Sequence, residues 1–242
     1  VRAHQVVLAQ GAHERPLVFA GNDLPGVMLA GSARSFVTRF GVVPGNRCIV
    51  FTNNDDAYRT ALALNANGGH VTIVDLRRNL RGPLINAAKD AGIAVMSGHA
   101  VTLAVGTHRI ARVEVAPVSE GGSEVLDDPI HLDCDLLAMS GGLTPAVHLH
   151  SQAGGKLGWD ERLLIFKPTE TQAANFCAGA GNGVFDLGEA MADGLRAGLA
   201  AIAATDPEGT ENIVPGPELP KSGPELPKSG PELPKYGPEL PK

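Results

Sequence analysis

The chain has 242 residues, 43% of them hydrophobic, which is enough to bury one large α/β core or two smaller ones. Its net charge of −6, with Lys and Arg scattered along the chain, disfavours nucleic acid as a partner. No apolar run reaches the ~20 residues of a membrane helix, and the polar, charged opening Val1–His4 is unlike a signal peptide. The widely separated Cys48, Cys134 and Cys177 are typical of reduced thiols in a cytoplasmic protein, with a disulfide as the less favoured alternative.

The first predicted element is a buried strand within residues 4–12 that ends in a turn at Gly11. Because the chain reads as buried so close to its start, we expect the fold to need a further segment upstream of Val1. Residues 16–45 are predicted to form a loop and one amphipathic helix, with Gly41 as its stop. The apolar residues that recur at helical spacing are Val27, Leu29, Ala30, Ala33, Phe36, Val37 and Phe40.

The clearest pattern in the chain is a β-α-β unit. Cys48–Phe51 predicts a buried strand, a helix follows it, and Val71–Asp75 predicts a second strand parallel to the first. The turn between strand and helix, Asn53–Asp56, contains no glycine, so its side chains would crowd a diphosphate and its carboxylates are predicted to cap the helix. Asp75 stands where dinucleotide folds place the acid that binds a ribose. Without a phosphate loop, a structural role is the stronger interpretation of this unit.

Further elements complete a predicted α/β fold with a parallel sheet and small antiparallel strands. A helix over about 82–91 leads to a strand at Ile93–Met96, and two strands within residues 99–118 are predicted to be antiparallel. Residues 119–129 read as a polar loop. One more buried strand, Cys134–Met139, then runs into a glycine-containing turn.

A second strand-turn-helix pattern follows near residue 180. The strand enters the glycine-rich turn Gly179–Gly183, and residues 186–204 predict a helix capped by Asp186. The backbone N–H groups of such a turn can bind a diphosphate or a sugar chain at close range. The pattern is weak by itself, and a tight structural turn is an equal alternative.

Two other patterns favour structural interpretations. His148 and His150 alternate as if on one strand face, yet no Cys or carboxylate follows at ligand spacing, so no metal site is predicted. From Gly216 to Lys242 the chain holds four copies of Gly-Pro-Glu-Leu-Pro-Lys. We expect residues 206–242 to form a disordered, extended tether, with docking to a proline-binding module as the alternative.

Three strings resemble the two-dinucleotide-domain flavoproteins. Val6–Ala12 is similar to the strand and turn by which the chain of that family leaves the first domain. Leu136–Pro145 resembles the strand by which the chain returns, and Phe176–Gly183 resembles the family's closing motif under the cofactor. The resemblance implies a Rossmann-like FAD/NAD(P)-binding fold with a nested second domain.

More specifically, Gly11–Met28 and Val50–Tyr58 resemble the alpha subunits of heterotetrameric sarcosine oxidases, and the likeness extends over roughly residues 1–205. This resemblance implies NAD bound noncovalently in this subunit, with FAD on the beta subunit, and with FMN where the subunits meet. It also implies oxidative demethylation of sarcosine to glycine with oxygen as acceptor. The expected partners are the beta subunit, smaller subunits and a small-molecule amine.

By the same resemblance, residues 1–41 and 136–205 are predicted to be part of the outer, cofactor-holding domain, and residues 42–135 an inserted Rossmann-like domain. The implied role of this piece is to hold a dinucleotide and dock the catalytic subunit, and no catalytic residue is predicted within it. The expected cofactor contacts are Gly11, Ala12, Gly179, Gly181, Asn182 and Gly183.

The chain departs from the family pattern at two points. The Gly-x-Gly-x-x-Gly motif is expected upstream of Val1, and Asn182 stands where many relatives carry an acid. An amide can still bond a hydroxyl but brings no charge. Two other functions stay open: an FAD-dependent pyridine-nucleotide or opine-type oxidoreductase, and a non-catalytic scaffold whose dinucleotide folds are relics. Whether NAD or FAD fills the outer site is also open.

Overall fold

The computed structural model of the protein describes residues 3–120, 122–171 and 174–205. The Pro-rich tail predicted over residues 206–242 lies outside these described residues. Within them, no helix is both long enough and apolar enough to cross a membrane.

Two compact units make up the described part of the chain. The larger unit consists of residues 14–142, and the smaller unit consists of residues 3–13 and 143–205. The strands, in chain order, are β1 Val6–Leu8, β2 Ala12–Glu14, β3 Val27–Leu29, β4 Arg47–Thr52, β5 His70–Asp75, β6 Ala94–Ser97, β7 His99–Gly106, β8 Ile110–Pro117, β9 Ile130–Asp133, β10 Leu136–Ser140, β11 Leu143–Pro145, β12 Lys156–Asp160, β13 Ile165–Glu170 and β14 Asn175–Cys177. The α-helices are α1 Ala30–Phe40, α2 Asp56–Ala66, α3 Pro83–Asp90, α4 His148–Gln152 and α5 Leu187–Thr205.

A five-stranded parallel sheet organises the larger unit. Its strand order is β3-β10-β4-β5-β6, and each neighbouring pair is parallel. The central strands are continuous apolar runs because both faces of the sheet are covered. The β-α-β unit predicted from the sequence is confirmed as β4-α2-β5.

Two apolar layers cover the faces of this sheet. Val50 of β4 faces a core shared with α1, α2 and α3. The adjacent Ile49 and Phe51 face a second core, which contains Val113 and Val115 of β8. Successive side chains of a strand point to opposite faces, so one short strand contributes to both cores. The predicted antiparallel pair is confirmed as β7 and β8, and β9, which the sequence did not predict, extends it to three strands.

Strand β3 contradicts one prediction. Val27–Leu29 matched the helical spacing of the residues after them, but they pair in parallel with Leu137–Met139 of β10. Helix α1 begins only at Ala30 and ends at Phe40, and Gly41 stops it as predicted, with a φ of +64° at the C-cap position. A three-residue strand joined directly to a helix is too short to display an alternating pattern of its own, so the helical period extends over it.

The larger unit extends beyond the insert predicted over residues 42–135. It begins at Glu14 and ends at Gly142, because β3 and α1 pack in the same layers as β10. Glu14 also stabilises the start of α1, since its Oε2 accepts a hydrogen bond from the Gly31 N–H over 2.8 Å. The nested arrangement of two dinucleotide-type domains stays a prediction.

The smaller unit is built on the parallel pair β1 and β14, against which α5 packs. It also contains the antiparallel hairpin β12–β13, which the sequence did not predict. Trp159 and Phe166 lie edge to face across this hairpin, with ring centroids 5.0 Å apart. His148 and His150 lie on the short helix α4, so the expectation of a shared strand face is wrong.

Candidate functional site

Two turns lie at one edge of the parallel pair in the smaller unit. Leu8 of β1 is in register with Cys177 of β14, and the Ala178 N–H donates to the Leu8 carbonyl over 3.0 Å. Because the strands are parallel, the turns that follow them emerge at the same edge. The structure thus brings Gly11 together with Gly179–Gly183, two segments that the sequence analysis singled out separately.

Gly11 and Gly181 place the two turns in backbone proximity. A Cβ atom on Gly181 would lie 3.5 Å from the carbonyl oxygen of Gly11 and 3.6 Å from its nitrogen, so a side chain there would occupy the gap between the turns. Gly11 has a φ of +81°, a conformation that favours glycine, and no atom of the residues that the structure describes lies within 4 Å of its Cβ position. Ala12 follows directly, at the start of β2. The backbone at Gly11 is therefore open to a closely approaching ligand.

Asp193 of α5 holds the glycine-rich turn in place. Gly179–Asn182 forms a single 3₁₀ turn, and Asp193 Oδ2 accepts hydrogen bonds from the Gly179 N–H over 2.9 Å and from Asn182 Nδ2 over 3.1 Å. Arg196 Nε donates to Asp193 Oδ1 over 2.8 Å, and Arg196 Nη2 donates to the Cys177 carbonyl over 3.3 Å. One carboxylate thus binds both ends of the turn.

The pKa of Asp193 lies below its ordinary value. Partial burial would raise this pKa, but the hydrogen bonds from Arg196, Asn182 and the Gly179 N–H outweigh burial and lower it. The side chain is 11% exposed. The sequence did not predict this residue, because an acid and a base three positions apart in an Ala- and Leu-rich helix read as an ordinary surface pair.

Helix α5 begins as the sequence predicted. Asp186 Oδ1 accepts a hydrogen bond from the Glu189 N–H over 3.1 Å, which is the bond of an N-cap residue. The cap fixes where helix α5 starts.

A cavity of about 290 Å³ opens beside the turn. Its volume suits one polar portion of a ligand rather than a whole dinucleotide. The lining side chains come from the smaller unit alone and are mostly polar: His150, Pro168, Thr169, Thr171, Asn175, Phe176, Cys177, Asn182 and Arg196.

His150 and Asn175 form a buried part of the cavity wall. His150 is 3% exposed, and its Nδ1 and Nε2 lie 3.2 Å from Asn175 Oδ1 and 3.2 Å from the Lys156 carbonyl oxygen. Asn175 Nδ2 is buried and has no hydrogen-bond partner within the described ranges. The opposite orientation of this amide would let Nδ2 donate to His150 Nδ1, while the His150 Nε2–H donates to the Lys156 carbonyl oxygen.

Cys177 borders the same cavity but is not an activated thiol. Its Sγ lies 3.6 Å from His150 Nδ1. Burial, with the nearby Asp193 carboxylate adding to it, raises the pKa of Cys177 above its ordinary value. A thiol with a raised pKa is a poor nucleophile at neutral pH, so this side chain contributes shape and polarity to the cavity.

In the larger unit, Asp75 stands where dinucleotide folds place the acid that binds a ribose. Other side chains of the protein already donate hydrogen bonds to it. Asp75 is fully buried and accepts a hydrogen bond from Tyr58 Oη over 2.9 Å. It also accepts from the N–H, Nε and Nη2 of Arg77 at 2.9, 3.1 and 2.8 Å. This saturation agrees with the structural interpretation of the β-α-β unit.

The predicted caps of α2 are wrong. Neither Asp55 nor Asp56 makes a side-chain cap hydrogen bond, and instead Asn54 Oδ1 accepts from the Asp56 N–H over 3.1 Å. Asp55 pairs with Arg77 at 2.7 Å, and Asp56 pairs with Arg34 at 3.2 Å. Asp55 stands at the N-cap position, but its carboxylate binds an arginine, and the amide of the preceding Asn54 accepts the hydrogen bond from the first turn.

The two histidines of α4 have separate surroundings. The ring of His148 lies edge-on to that of His13, with centroids 6.0 Å apart, whereas His150 borders the cavity. Across residues 3–120, 122–171 and 174–205, no group of three or more His, Cys, Asp or Glu side chains could hold a metal ion.

Curated relatives match most of this chain, although no protein-family model does. The alpha subunit of sarcosine oxidase from Corynebacterium sp. (strain P-1) is 41% identical over 220 residues, which cover 90% of this chain and 22% of that protein. An opine oxidase subunit of Agrobacterium tumefaciens (strain Ach5) is 27% identical over 221 residues, which cover 84% of this chain and 44% of that protein. The chain therefore spans about a fifth of the length of the sarcosine oxidase relative.

Among solved structures, T. acidophilum thioredoxin reductase has a similar fold. The TM-score is 0.66 at 17% sequence identity, over 83% of this chain and 66% of that one. The likeness confirms the predicted fold class, an α/β fold of the FAD/NAD(P)-binding type with a parallel sheet and small antiparallel strands.

Proposed function

This chain is homologous to part of the sarcosine oxidase alpha subunits, and on that basis we propose that its smaller unit holds a dinucleotide within a flavin-dependent amine oxidase. The whole protein would oxidise sarcosine to glycine, release the methyl carbon as formaldehyde or methylene-folate, and reduce oxygen to hydrogen peroxide. This piece would bind the nucleotide and dock a catalytic beta subunit. Three free cysteines fit a cytoplasmic location.

The proximity of Gly11 to Gly181 is the observation that carries the proposal. Two backbone turns approach each other at the carboxyl edge of parallel strands, where α/β folds bind nucleotides. A ligand can approach Gly11 within van der Waals distance because no side chain in the described part of the chain covers its Cβ position. A side chain at Gly181 would contact the backbone of Gly11, and a side chain at Gly11 would be strained by its φ of +81°.

The residues at this edge fit a dinucleotide. The backbone at Gly11, Ala12 and Gly181 would contact the dinucleotide directly. Asn182 would bond a ribose or ribityl hydroxyl. The Gly179 N–H is already bonded to Asp193, so Gly179 and Gly183, with φ of +62° and +81°, would shape the turn. A bound NAD or flavin would supply the electron-accepting ring. NAD is the cofactor that the resemblance implies for this subunit, with FAD and FMN elsewhere in the complex.

The test is the nucleotide content of the full-length protein, expressed with its beta subunit. Gly181→Val would fill the gap beside Gly11 without a forbidden φ, and we expect it to lower bound NAD about tenfold, the factor that ~1.4 kcal/mol of lost binding produces. Gly194→Val is the matched control, because Gly194 lies on α5 and none of the described residues has an atom within 4 Å of its Cβ position. Equal NAD content in both variants would contradict the proposal.

One observation favours a related enzyme as the second candidate. The opine oxidase relative from Agrobacterium tumefaciens matches 84% of this chain, so an FAD-dependent opine-type or pyridine-nucleotide oxidoreductase is the alternative. FAD released from this chain itself, in place of NAD, would support it.

The non-catalytic scaffold applies best to the larger unit, whose Asp75 is saturated by Tyr58 and Arg77. Recovery of no nucleotide from the intact complex would extend the scaffold interpretation to the whole chain.

A further inference from the structure

Asn182 has a fixed orientation because of Asp193. Its Nδ2 lies 3.1 Å from Asp193 Oδ2 and 3.5 Å from Asp193 Oδ1. The opposite amide orientation would place a carbonyl oxygen against a carboxylate, which are two acceptors without a proton between them. Electrostatics therefore select the orientation in which Nδ2 faces Asp193 and Oδ1 points away from it.

The carboxylate that imposes this orientation is itself held firmly. Arg196 Nε and the Gly179 N–H donate to its two oxygens over 2.8 and 2.9 Å. Asn182 and Arg196 both line the cavity beside the turn. The Asn182 amide is thus held with Nδ2 on Asp193, and its Oδ1, which faces away from that carboxylate, is available to accept a hydrogen bond from a ligand.

We propose that Asp193 is a positioning residue that turns Asn182 into a hydrogen-bond acceptor for a sugar hydroxyl of the bound nucleotide. The inference rests on the proposed function of the smaller unit and deepens it, since it assigns the residue that orients Asn182 toward the sugar hydroxyl. A hydroxyl can donate to Oδ1, whereas a phosphate oxygen would be repelled by it. The pair therefore directs the sugar, not the diphosphate, to Asn182.

This arrangement also accounts for an amide at position 182. A carboxylate there would lie about 3 Å from Asp193, where two like charges disfavour ionisation of both. Asn182→Asp should therefore bind nucleotide poorly. Combining Asn182→Asp with Asp193→Asn restores one donor and one acceptor, with the acid now in the turn, and should recover part of the affinity.

The experiment measures affinity and sugar discrimination in the full-length protein with its beta subunit. Equilibrium binding of NAD is compared with that of its 2′-deoxy and 3′-deoxy ribose analogues, and binding of FAD with that of FAD carrying a 2′-deoxyribityl chain. The first set tests a ribose hydroxyl and the second a ribityl hydroxyl. We expect the wild type to favour one parent nucleotide over its deoxy analogue about twofold to twelvefold, the range for one neutral hydrogen bond.

Asp193→Asn and Asn182→Ala should each abolish this discrimination. The exchanged pair, Asn182→Asp with Asp193→Asn, should regain part of it. A turn that merely loosens would weaken the parent and its analogue equally, which would overturn the inference. Gly194→Ala should keep the wild-type ratio, because Gly194 adjoins Asp193 and its Cβ position has open space among the described residues.

Thermal unfolding identifies any variant that fails to fold. If Asp193→Asn fails to fold, the loss of sugar discrimination is tested with Asn182→Ala. Wild-type protein that binds neither nucleotide would overturn the proposed function together with this inference. Binding with unchanged discrimination in Asn182→Ala would overturn this inference alone.

Discussion

Replacing Tyr58 with phenylalanine removes one hydroxyl from the buried cluster around Asp75. Tyr58 Oη donates to Asp75 Oδ2 over 2.9 Å, and both side chains are 0% exposed. Arg77 continues to donate to the carboxylate in the variant, so Asp75 is not left unpaired. The loss is one hydrogen bond to a charged group, which contributes about 1.5–3 kcal/mol. We expect the free energy of unfolding to fall by about 2 kcal/mol.

Urea unfolding of the two proteins measures this difference directly. The control is Thr38→Val, which removes an exposed hydroxyl that donates to the Arg34 carbonyl over 2.9 Å and should change stability by no more than about 0.5 kcal/mol. If Tyr58→Phe costs no more than Thr38→Val, the hydrogen bond from Tyr58 to Asp75 does not stabilise the fold.

The same variant has a signature in pH. Burial, reinforced by the Asp75 carboxylate, raises the pKa of Tyr58 above its ordinary value. A raised folded-state pKa means that the stabilisation is fully present below the unfolded pKa of about 10 and is lost as the pH rises above it. Wild-type stability should therefore decline above pH ~10 more steeply than that of Tyr58→Phe.

Two further predictions concern the larger unit and the cysteines. Glu14→Ala should lower stability by about 1 kcal/mol, the usual contribution of a capping group, and hydrogen exchange should become faster at the Gly31 N–H, which donates to Glu14. A neutral thiol reagent at pH 8 should modify the partly exposed Cys177 first, because burial, with Asp135 adding to it, raises the pKa of Cys48 and Cys134 to about 12. Equal labelling rates of all three thiols in the folded protein would contradict this assignment of burial.

The fold was predictable where local pattern and tertiary role coincide. Strand β4 is buried on both faces, so its apolar run appears in the sequence itself. Strand β3 was missed because Val27–Leu29 continue the period of α1, and only pairing with β10 distinguishes the two. The hairpin of Trp159 and Phe166 was missed because both rings are about half exposed and its strands carry no clear alternation.

The candidate site divides in the same way. The Gly179–Gly183 turn could be found from sequence because glycine marks unusual backbone, whereas its proximity to Gly11 depends on the pairing of β1 with β14. Asp193 could not be found, since its contacts with Gly179 and Asn182 span 14 and 11 positions and arise only when α5 packs against the strand. Sequence spacing indicates which residues are neighbours on one helix or strand. The contact of Asp193 with the turn joins two separate elements.

The saturated Asp75 makes the larger unit a poor starting point for acquiring a ligand. Introducing glycines into Asn53–Asp56 would open room for a phosphate, but a ribose could bind Asp75 only by displacing Tyr58 or Arg77. Each displacement removes a bond that also stabilises the fold. A gain in ligand affinity at this carboxylate is thus a loss of fold stability. Any variant that binds a ribose there would need new stabilising contacts elsewhere in the unit.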